Sequence, residues 1–256
     1  MNIVQVRDVS KVKHLFDGYQ DTLIRSCLDG TMGEIYAKDV DQPEAAMAIL
    51  GDFSFYTGKP SEELVQYKPL NCETSFLIMV PQNEEWAKLI ATCYGERATK
   101  IKRYAIAKEG DIFDRQKLEK VVASLNPQYS IKLLDEEIFD YTKDHRWCYD
   151  WCSQYKDYPT YQRLGLGVVI CKDGIPVSGA SSYTSYQGGI EIQIDTKPEF
   201  RRKGLAYCCA AKLILECLER GLYPSWDAHN LWSVALAEKL GYHFDHEYIA
   251  FKVNGY

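Results

Sequence analysis

The chain has no apolar run long enough to cross a membrane and no excess of positive charge. An apolar stretch such as SFLIMV at 75–80 has the length of a strand, whereas a membrane-spanning helix needs about 20 such residues. A formal net charge of −6 argues against the basic face that binds nucleic acid or anionic membranes. The opening MNIVQVRDVSKVKH is charged too early for a secretory leader. We therefore expect a cytoplasmic protein with no nucleic-acid or membrane partner.

The sequence also lacks the Cys and His spacings of a structural metal site, and it shows no repeat or low-complexity tract. Its nine cysteines, an odd number, are scattered along the chain, which favours reduced thiols over a disulfide framework. Cys148 and Cys152 are four residues apart and have no matching Cys or His pair elsewhere, unlike the ligands of a zinc knuckle. We expect no metal.

The pattern of helices and strands divides the 256 residues into two domains. In the first half, 75–80 predicts a buried strand, 83–95 an amphipathic helix capped by Asn83, and 114–125 another helix. The turn residues NPQYS at 126–130 indicate the boundary. We predict an N-terminal α/β domain of unknown role over residues 1–126, and a second domain over 127–256.

The second half predicts strands around a functional-looking face. A strand at 129–135 is followed by a helical stretch to about Tyr161 and by a hairpin that turns at Lys172–Gly174. The segment GGIEIQIDT then alternates apolar and polar residues. This alternation predicts a strand with isoleucines on one face and Glu191, Gln193 and Asp195 on the other.

Three basic residues, Arg201, Arg202 and Lys203, precede Gly204 at the start of a predicted helix that ends near Arg220. The first turn of a helix leaves backbone N–H groups without partners and carries partial positive charge, so it can bind an anion. A glycine lets a bulky anion approach the backbone closely. The loop is therefore either a pyrophosphate site or an ordinary solvated turn.

The order of these features resembles the GNAT superfamily of N-acyltransferases. Arg201, Gly204 and Ala206 match its (Arg/Gln)-x-x-G-x-(Gly/Ala) signature, and NLWSVALAEKLGYHF at 230–244 resembles its closing helix. The resemblance covers about residues 129–253. It implies a mixed α/β (α+β) fold with a mostly antiparallel central sheet flanked by helices, preceded here by the smaller α/β domain.

The resemblance also implies direct transfer of an acetyl group from acetyl-CoA to a primary amine. In the family, the cofactor strand splays from its neighbour and the pantetheine lies in the gap, which corresponds here to the backbone of Gln193, Ile194, Asp195 and Thr196. The remaining residues implied to bind acetyl-CoA are Arg201, Arg202, Lys203, Gly204, Leu205, Ala206, Asn230 and Ser233. Glu191 is the candidate general base and His229 a second candidate for proton transfer, with ion pairing and helix-end packing as their structural alternatives.

One departure from the family pattern concerns the general acid. Ala237 stands where many members carry a tyrosine that protonates the leaving thiolate, so Ser233, Tyr183, Tyr207 or water would have to serve. The C-terminal segment is also short for the family's final pair of strands. We predict an N-acetyltransferase for a small-molecule amine, and allow for a homodimer. The alternatives are a catalytically weak or inactive CoA-binding sensory module and, third, an oligomerising scaffold whose loop binds any phosphate.

Overall fold

The computed structural model describes residues 3–39, 41–70, 72 and 74–256. The chain forms two compact units, one made of residues 1–103 with 247–256 and the other of 104–246. The sequence interpretation instead places a domain boundary at 126/127. Residues 104–126 group with the second unit because Leu118 is buried in one cluster with Ala210, Ala211 and Ile214.

Before residue 104, the described residues of the first unit form six strands, the last of which runs past residue 103, and three α-helices; its residues 247–254 belong to a further strand that begins in the second unit. They are β1 Val4–Gln5, α1 Thr22–Asp29, β2 Glu34–Ala37, β3 Ala45–Leu50, β4 Phe53–Gly58, α2 Glu62–Gln66, β5 Phe76–Pro81, α3 Glu84–Tyr94 and β6 Ala98–Ile106. The predicted strand at 75–80 is confirmed as β5. The helix predicted at 83–95 is confirmed as α3, with the Asn83 side chain accepting the N–H groups of Glu85 and Trp86.

The second unit contains the remaining elements. They are α4 Arg115–Ala123, β7 Tyr129–Leu133, α5 Glu136–Asp144, α6 Tyr158–Leu164, β8 Gly167–Lys172, β9 Ile175–Tyr186, β10 Gly189–Thr196, α7 Leu205–Glu219, β11 Tyr223–Ser225, β12 Asp227–Ala228, α8 Leu231–Leu240 and β13 Phe244–Asn254. Strand β13 begins in the second unit and continues into the first, to which its residues 247–254 belong, and there Phe251–Asn254 pair with β5.

The main sheet of the second unit has the order β11-β10-β9-β8-β7. Its pairs are antiparallel except that of β10 with β11, which is parallel. Ile190 and Ile192 of β10 pack in one buried cluster with Leu205, Cys209 and Leu213 of α7. The cysteines of α7 thus act as small apolar residues, and α7 covers the isoleucine face of the sheet.

The hairpin predicted between β8 and β9 is confirmed. Asp173 and Gly174 both have positive φ, 52° and 80°, as the two central residues of a type I′ turn require. The single helical stretch predicted up to Tyr161 is wrong. It is divided into α5, a 3₁₀ turn at Tyr149–Trp151 and α6, because Pro159 can occupy only the first turn of a helix.

The two units share a topology that the sequence did not reveal. In each, four strands follow one another as antiparallel neighbours, and a fifth pairs parallel to the fourth. The series is β1 to β5 in the first unit and β7 to β11 in the second. The connection between the fourth and fifth strands differs, being the five-residue α2 in one case and the fifteen-residue α7 in the other.

Candidate active site

Strands β10 and β11 part after three residues, which leaves one edge of β10 open. Their parallel register runs from Gly189–Tyr223 to Glu191–Ser225. From Ile192 to Thr196, β10 pairs only with β9 among the described strands. An unpaired strand edge can accept an extended ligand by main-chain hydrogen bonds. The open edge includes Gln193, Ile194, Asp195 and Thr196, the segment singled out from the sequence.

The parting has a local cause at Trp226. Ser225 still pairs with Glu191, but Asp227 and Ala228, just beyond Trp226, pair with Ala105 and Tyr104 of β6. The chain therefore leaves one sheet for another within two residues. Trp226 is buried at this point, and its indole N–H donates to Ser233 Oγ at 3.0 Å. This contact fixes the end of β11 against α8.

The basic loop meets the start of α7 at the same end of β10. Gly204 is the N-cap residue with φ 78°, no side chain caps the helix, and the first helical hydrogen bond runs from Cys208 N–H to Gly204 C=O. The N–H groups of the first turn, which come before Cys208, therefore have no carbonyl partner within the helix. A Cβ at Gly204 would meet no atom within 4 Å. The helix start thus presents uncapped N–H groups beneath an open surface.

The three basic residues before Gly204 differ in their contacts and backbone conformation. Arg201 Nε donates to the Thr196 carbonyl at 3.2 Å, which ties the loop to β10. The Lys203 ammonium lies 4.7 Å from the centre of the Phe200 ring. Arg202 has φ 60°, a left-handed conformation that is uncommon for a residue with a side chain. All three are exposed and can add positive charge around the helix start.

Glu191 lies on the face of β10 opposite α7. It alternates with Ile190 and Ile192, which pack against that helix, and it is only 6% exposed. Its charge acts on two neighbouring phenols. Burial, together with the charges of Glu109 and Glu191, raises the pKa of Tyr223, and burial with a smaller contribution from Glu191 raises the pKa of Tyr242 well above its usual range.

Asp195 lies further along the same face. Burial raises the pKa of this carboxyl to about 6, and the nearby charge of Asp150 adds to the increase. Gln193 Nε2 donates to Asp195 Oδ2 at 2.9 Å, and this contact, the Trp151 indole and the Arg201 charge act in the opposite direction. Its cross-strand partner is Gly179, where Trp151 packs so closely that an added Cβ would lie 2.5 Å from the ring.

The residues predicted at the closing helix form one hydrogen-bonded group. Asn230 caps α8 through Oδ1, which accepts the Ser233 N–H at 2.9 Å, as the sequence predicted. Its Nδ2 lies 2.7 Å from His229 Nε2. His229 is exposed, whereas Glu191 is buried. The structure thus joins His229, Asn230, Ser233 and Trp226 through short contacts.

The position of the missing tyrosine is fully buried. Ala237 is 0% exposed and packs in the cluster that contains Trp226, Ala228 and Tyr242. Among the hydroxyls considered as substitutes, Tyr207 already donates to the Lys239 carbonyl at 3.3 Å. Tyr183 is buried on β9. Ser233 accepts the Trp226 N–H.

The described residues contain neither a cluster of metal-binding side chains nor a membrane-spanning helix. In the described part of the chain, no three His, Cys, Asp or Glu side chains converge on a common point where a metal ion could bind. Within the same residues, no helix combines the length and the apolar character needed to cross a membrane.

Comparison with known proteins identifies the family. The profile of the GNAT acetyltransferase family matches residues 13–251. The chain belongs to this family. A GCN5-related N-acetyltransferase-like protein from Streptococcus suis 89/1591 is 42% identical, with a TM-score of 0.90 over 96% of this chain and 98% of that one. A Bacillus subtilis (strain 168) protein, "Uncharacterized N-acetyltransferase YdfB", is 27% identical over 93% of both chains.

A more distant GNAT structure shares the fold alone. It is a tandem GNAT protein from the clavulanic acid biosynthesis pathway, 9% identical, with a TM-score of 0.59 over 100% of this chain and 98% of that one. The GNAT family profile spans both units of the present chain. Sequence reasoning restricted the resemblance to residues 129–253, because the first unit has no acyl-CoA signature and its α2 is too short to show a helical pattern.

Proposed function

We propose that this GNAT protein transfers the acetyl group of acetyl-CoA to a primary amine of a small molecule. The observation that carries the proposal is the parting of β10 and β11 beside the uncapped start of α7. An open strand edge suits an extended pantetheine, and an uncapped helix start surrounded by basic residues suits a diphosphate. The two features lie at consecutive positions along the chain, as one elongated ligand requires.

The residues present fit acetyl-CoA, which when bound supplies an activated acetyl thioester. The backbone of Gln193 to Thr196 would hold the pantetheine arm. The N–H groups around Gly204, with the charges of Arg201, Arg202 and Lys203, would hold the diphosphate. Leu205 is 3% exposed, so it contributes its backbone, while its side chain anchors the helix in the core.

Glu191 is the stronger candidate for the group that removes the acceptor's proton. An alkylammonium must lose a proton before its nitrogen can attack a thioester, and a positioned carboxylate can accept it. Glu191 lies where β10 and β11 part, and its burial limits the contact of its carboxylate with bulk water. His229 is exposed and contacts the Asn230 amide, so we assign it to the helix start rather than to catalysis.

Ser233 is the best-placed hydroxyl to assist the leaving thiolate. Trp226 donates to its Oγ, so the hydroxyl hydrogen can be directed elsewhere. Ser233 also lies in the first turn of α8, next to the end of β11. Loss of a tyrosine acid need not prevent transfer, because a thiolate is a tolerable leaving group.

A second function has one observation in its favour. Ala237 is buried in the core, and no phenol takes the place of the family's usual acid at that position. A CoA-binding module with little or no catalysis would also have the open strand edge and the uncapped helix. The two functions differ in turnover and agree in acetyl-CoA binding.

The experiment that separates them combines binding and turnover on the full chain. Calorimetry measures the affinity for acetyl-CoA, and a thiol reagent follows CoA release with a panel of primary amines. We expect binding and amine-dependent CoA release. Binding without release for any amine would favour the sensory module, and no binding would refute both functions.

A further inference from the structure

Three polar side chains form a buried row across the sheet where β10 and β11 part. Thr184 of β9 is the antiparallel partner of Glu191, and Ser225 of β11 is its parallel partner. Thr184 and Ser225 are 0% exposed, and Glu191 is 6% exposed. Partners in register point to the same face of a sheet, with Cβ atoms about 4.5–5.5 Å apart in antiparallel pairs. A carboxylate therefore lies between two hydroxyls in the interior.

The Thr184 hydroxyl is the unusual member of this row. Its Oγ1 is buried and has no hydrogen-bond partner among the described residues. Leaving a buried hydroxyl without a hydrogen-bond partner destabilises the folded state. Valine has nearly the same shape without this cost, and its β-branch suits a strand. A threonine at this position is thus unfavourable for folding alone, which points to a ligand for its hydroxyl.

The strand register places Thr184 beside the site. The β9–β10 register shifts immediately after the Thr184–Glu191 pair, because Tyr183 is an extra residue on β9. Such bulges bend the strand and re-aim side chains next to active sites. On its other side, β10 loses β11 at the same residue, Glu191. The row therefore lies at the end of the open edge where an acetyl group would be presented.

We propose that Thr184 is a positioning residue that holds, with Glu191, one internal water molecule for proton transfer. This rests on the proposed acetyltransferase function. The water oxygen accepts a proton from the acceptor's ammonium group while one of the water's own protons passes to the Glu191 carboxylate. The freed amine then attacks. Thr184 Oγ1 accepts the water's second hydrogen, so the water has the two or more polar partners that a buried site requires.

The test compares two variants of Thr184 with a matched control. Thr184→Val removes the hydroxyl at constant shape, and Thr184→Ser restores it. Thr142→Val is the control, because Thr142 is also buried but its hydroxyl already donates to the Phe139 carbonyl at 2.7 Å. Melting temperature, acetyl-CoA affinity, and kcat against pH are measured for each full-length protein with the best amine of the panel.

We expect Thr184→Val to melt no lower than the wild type and to bind acetyl-CoA unchanged. Its kcat should fall about tenfold to a hundredfold, less than the about 10²–10⁴ that a general base contributes. The loss should shrink at high pH, where free amine accumulates, and Thr184→Ser should recover most of the rate. Thr142→Val should keep the wild-type pH profile.

An unchanged kcat and pH profile in Thr184→Val would overturn the inference and leave the acetyltransferase function standing. A kcat loss that is equal at every pH and accompanied by a lower melting temperature would also overturn it, because Thr184 would then be structural. A wild-type protein that acetylates no amine would instead refute the proposed function, and the inference with it.

Discussion

Replacing Gly204 by glutamate should abolish acetyl-CoA binding without unfolding the protein. The residue has φ 78°, and an added side chain would meet no atom within 4 Å. The substitution therefore costs mainly the left-handed backbone strain of about 1–2 kcal/mol. The loss of binding free energy for a diphosphate should be larger than this strain, because the new carboxylate would enter the space above the uncapped N–H groups.

The expected loss follows from Coulomb's law. Two like charges about 4 Å apart near a protein surface repel by about 4 kcal/mol, which corresponds to about a thousandfold in Kd. Salt screening reduces this figure, so we expect at least a hundredfold weaker binding. Gly174→Glu is the matched control. Gly174 has φ 80° and equally open surroundings, so a glutamate there introduces the same backbone strain and the same charge. It lies in the β8–β9 hairpin rather than at the start of α7.

Calorimetry with acetyl-CoA and thermal melting should be run on both variants and the wild type. The two variants should melt at similar temperatures, and only Gly204→Glu should lose binding. Wild-type affinity in a folded Gly204→Glu protein would refute the diphosphate site. Equal loss of affinity in both variants would show that backbone strain, rather than the site, is responsible.

Three further predictions concern other parts of the chain. Glu191→Gln should keep acetyl-CoA binding and lose about 10²–10⁴ in kcat, with a smaller deficit at high pH, whereas the exposed Glu219→Gln should match the wild type; equal rates across the pH range would make Glu191 structural. The pKa of Asp195 is raised to about 6 in the folded protein, so as pH falls the folded state binds a proton at this carboxyl before the unfolded state does. The ionised Asp195 therefore destabilises the fold fully above pH 6, and this destabilisation disappears as pH falls to about 4. Asp195→Asn should thus raise the free energy of unfolding near neutral pH by at most about 3 kcal/mol and flatten its pH dependence in urea titrations; an unchanged pH profile would contradict this. Calorimetry should give one acetyl-CoA per chain, because in the first unit Ser61 caps α2 and Gln82 Oε1 accepts the Gly58 N–H at the end of β4; two equivalent sites would contradict this.

Much of the second unit could be predicted from local patterns. The alternation in GGIEIQIDT predicted β10, and Asp173-Gly174 predicted the hairpin turn, because each signal depends on a few neighbouring residues. The caps at Asn83 and Asn230 were predictable for the same reason. The loop before α7 was found because its basic residues and its glycine are contiguous in the sequence.

Features that depend on distant residues were not predictable. The Thr184–Glu191 pair requires the β9–β10 register and its bulge, which no local pattern specifies. The grouping of residues 104–126 with the second unit depends on Leu118 packing against α7. The raised pKa of Asp195 was not predictable either, because it results from burial in the folded chain and from the nearby charge of Asp150.

The repeated topology of the two units was also hidden from the sequence. Strand order is set by pairing between segments far apart in the chain, and unlike side chains can build the same ladder. In the first unit the connecting helix has five residues and a serine cap, against fifteen residues and an uncapped glycine in the second. The signature that identified the second unit is therefore missing from the first.

The most direct test of the central claim is a crystal structure of the full chain with CoA. The account predicts the diphosphate on the backbone N–H groups at the start of α7, around Gly204. It also predicts the pantetheine arm along the edge of β10 from Gln193 to Thr196, with the thiol end near Glu191. Density for CoA against the first unit, or on the isoleucine face of the sheet, would contradict it.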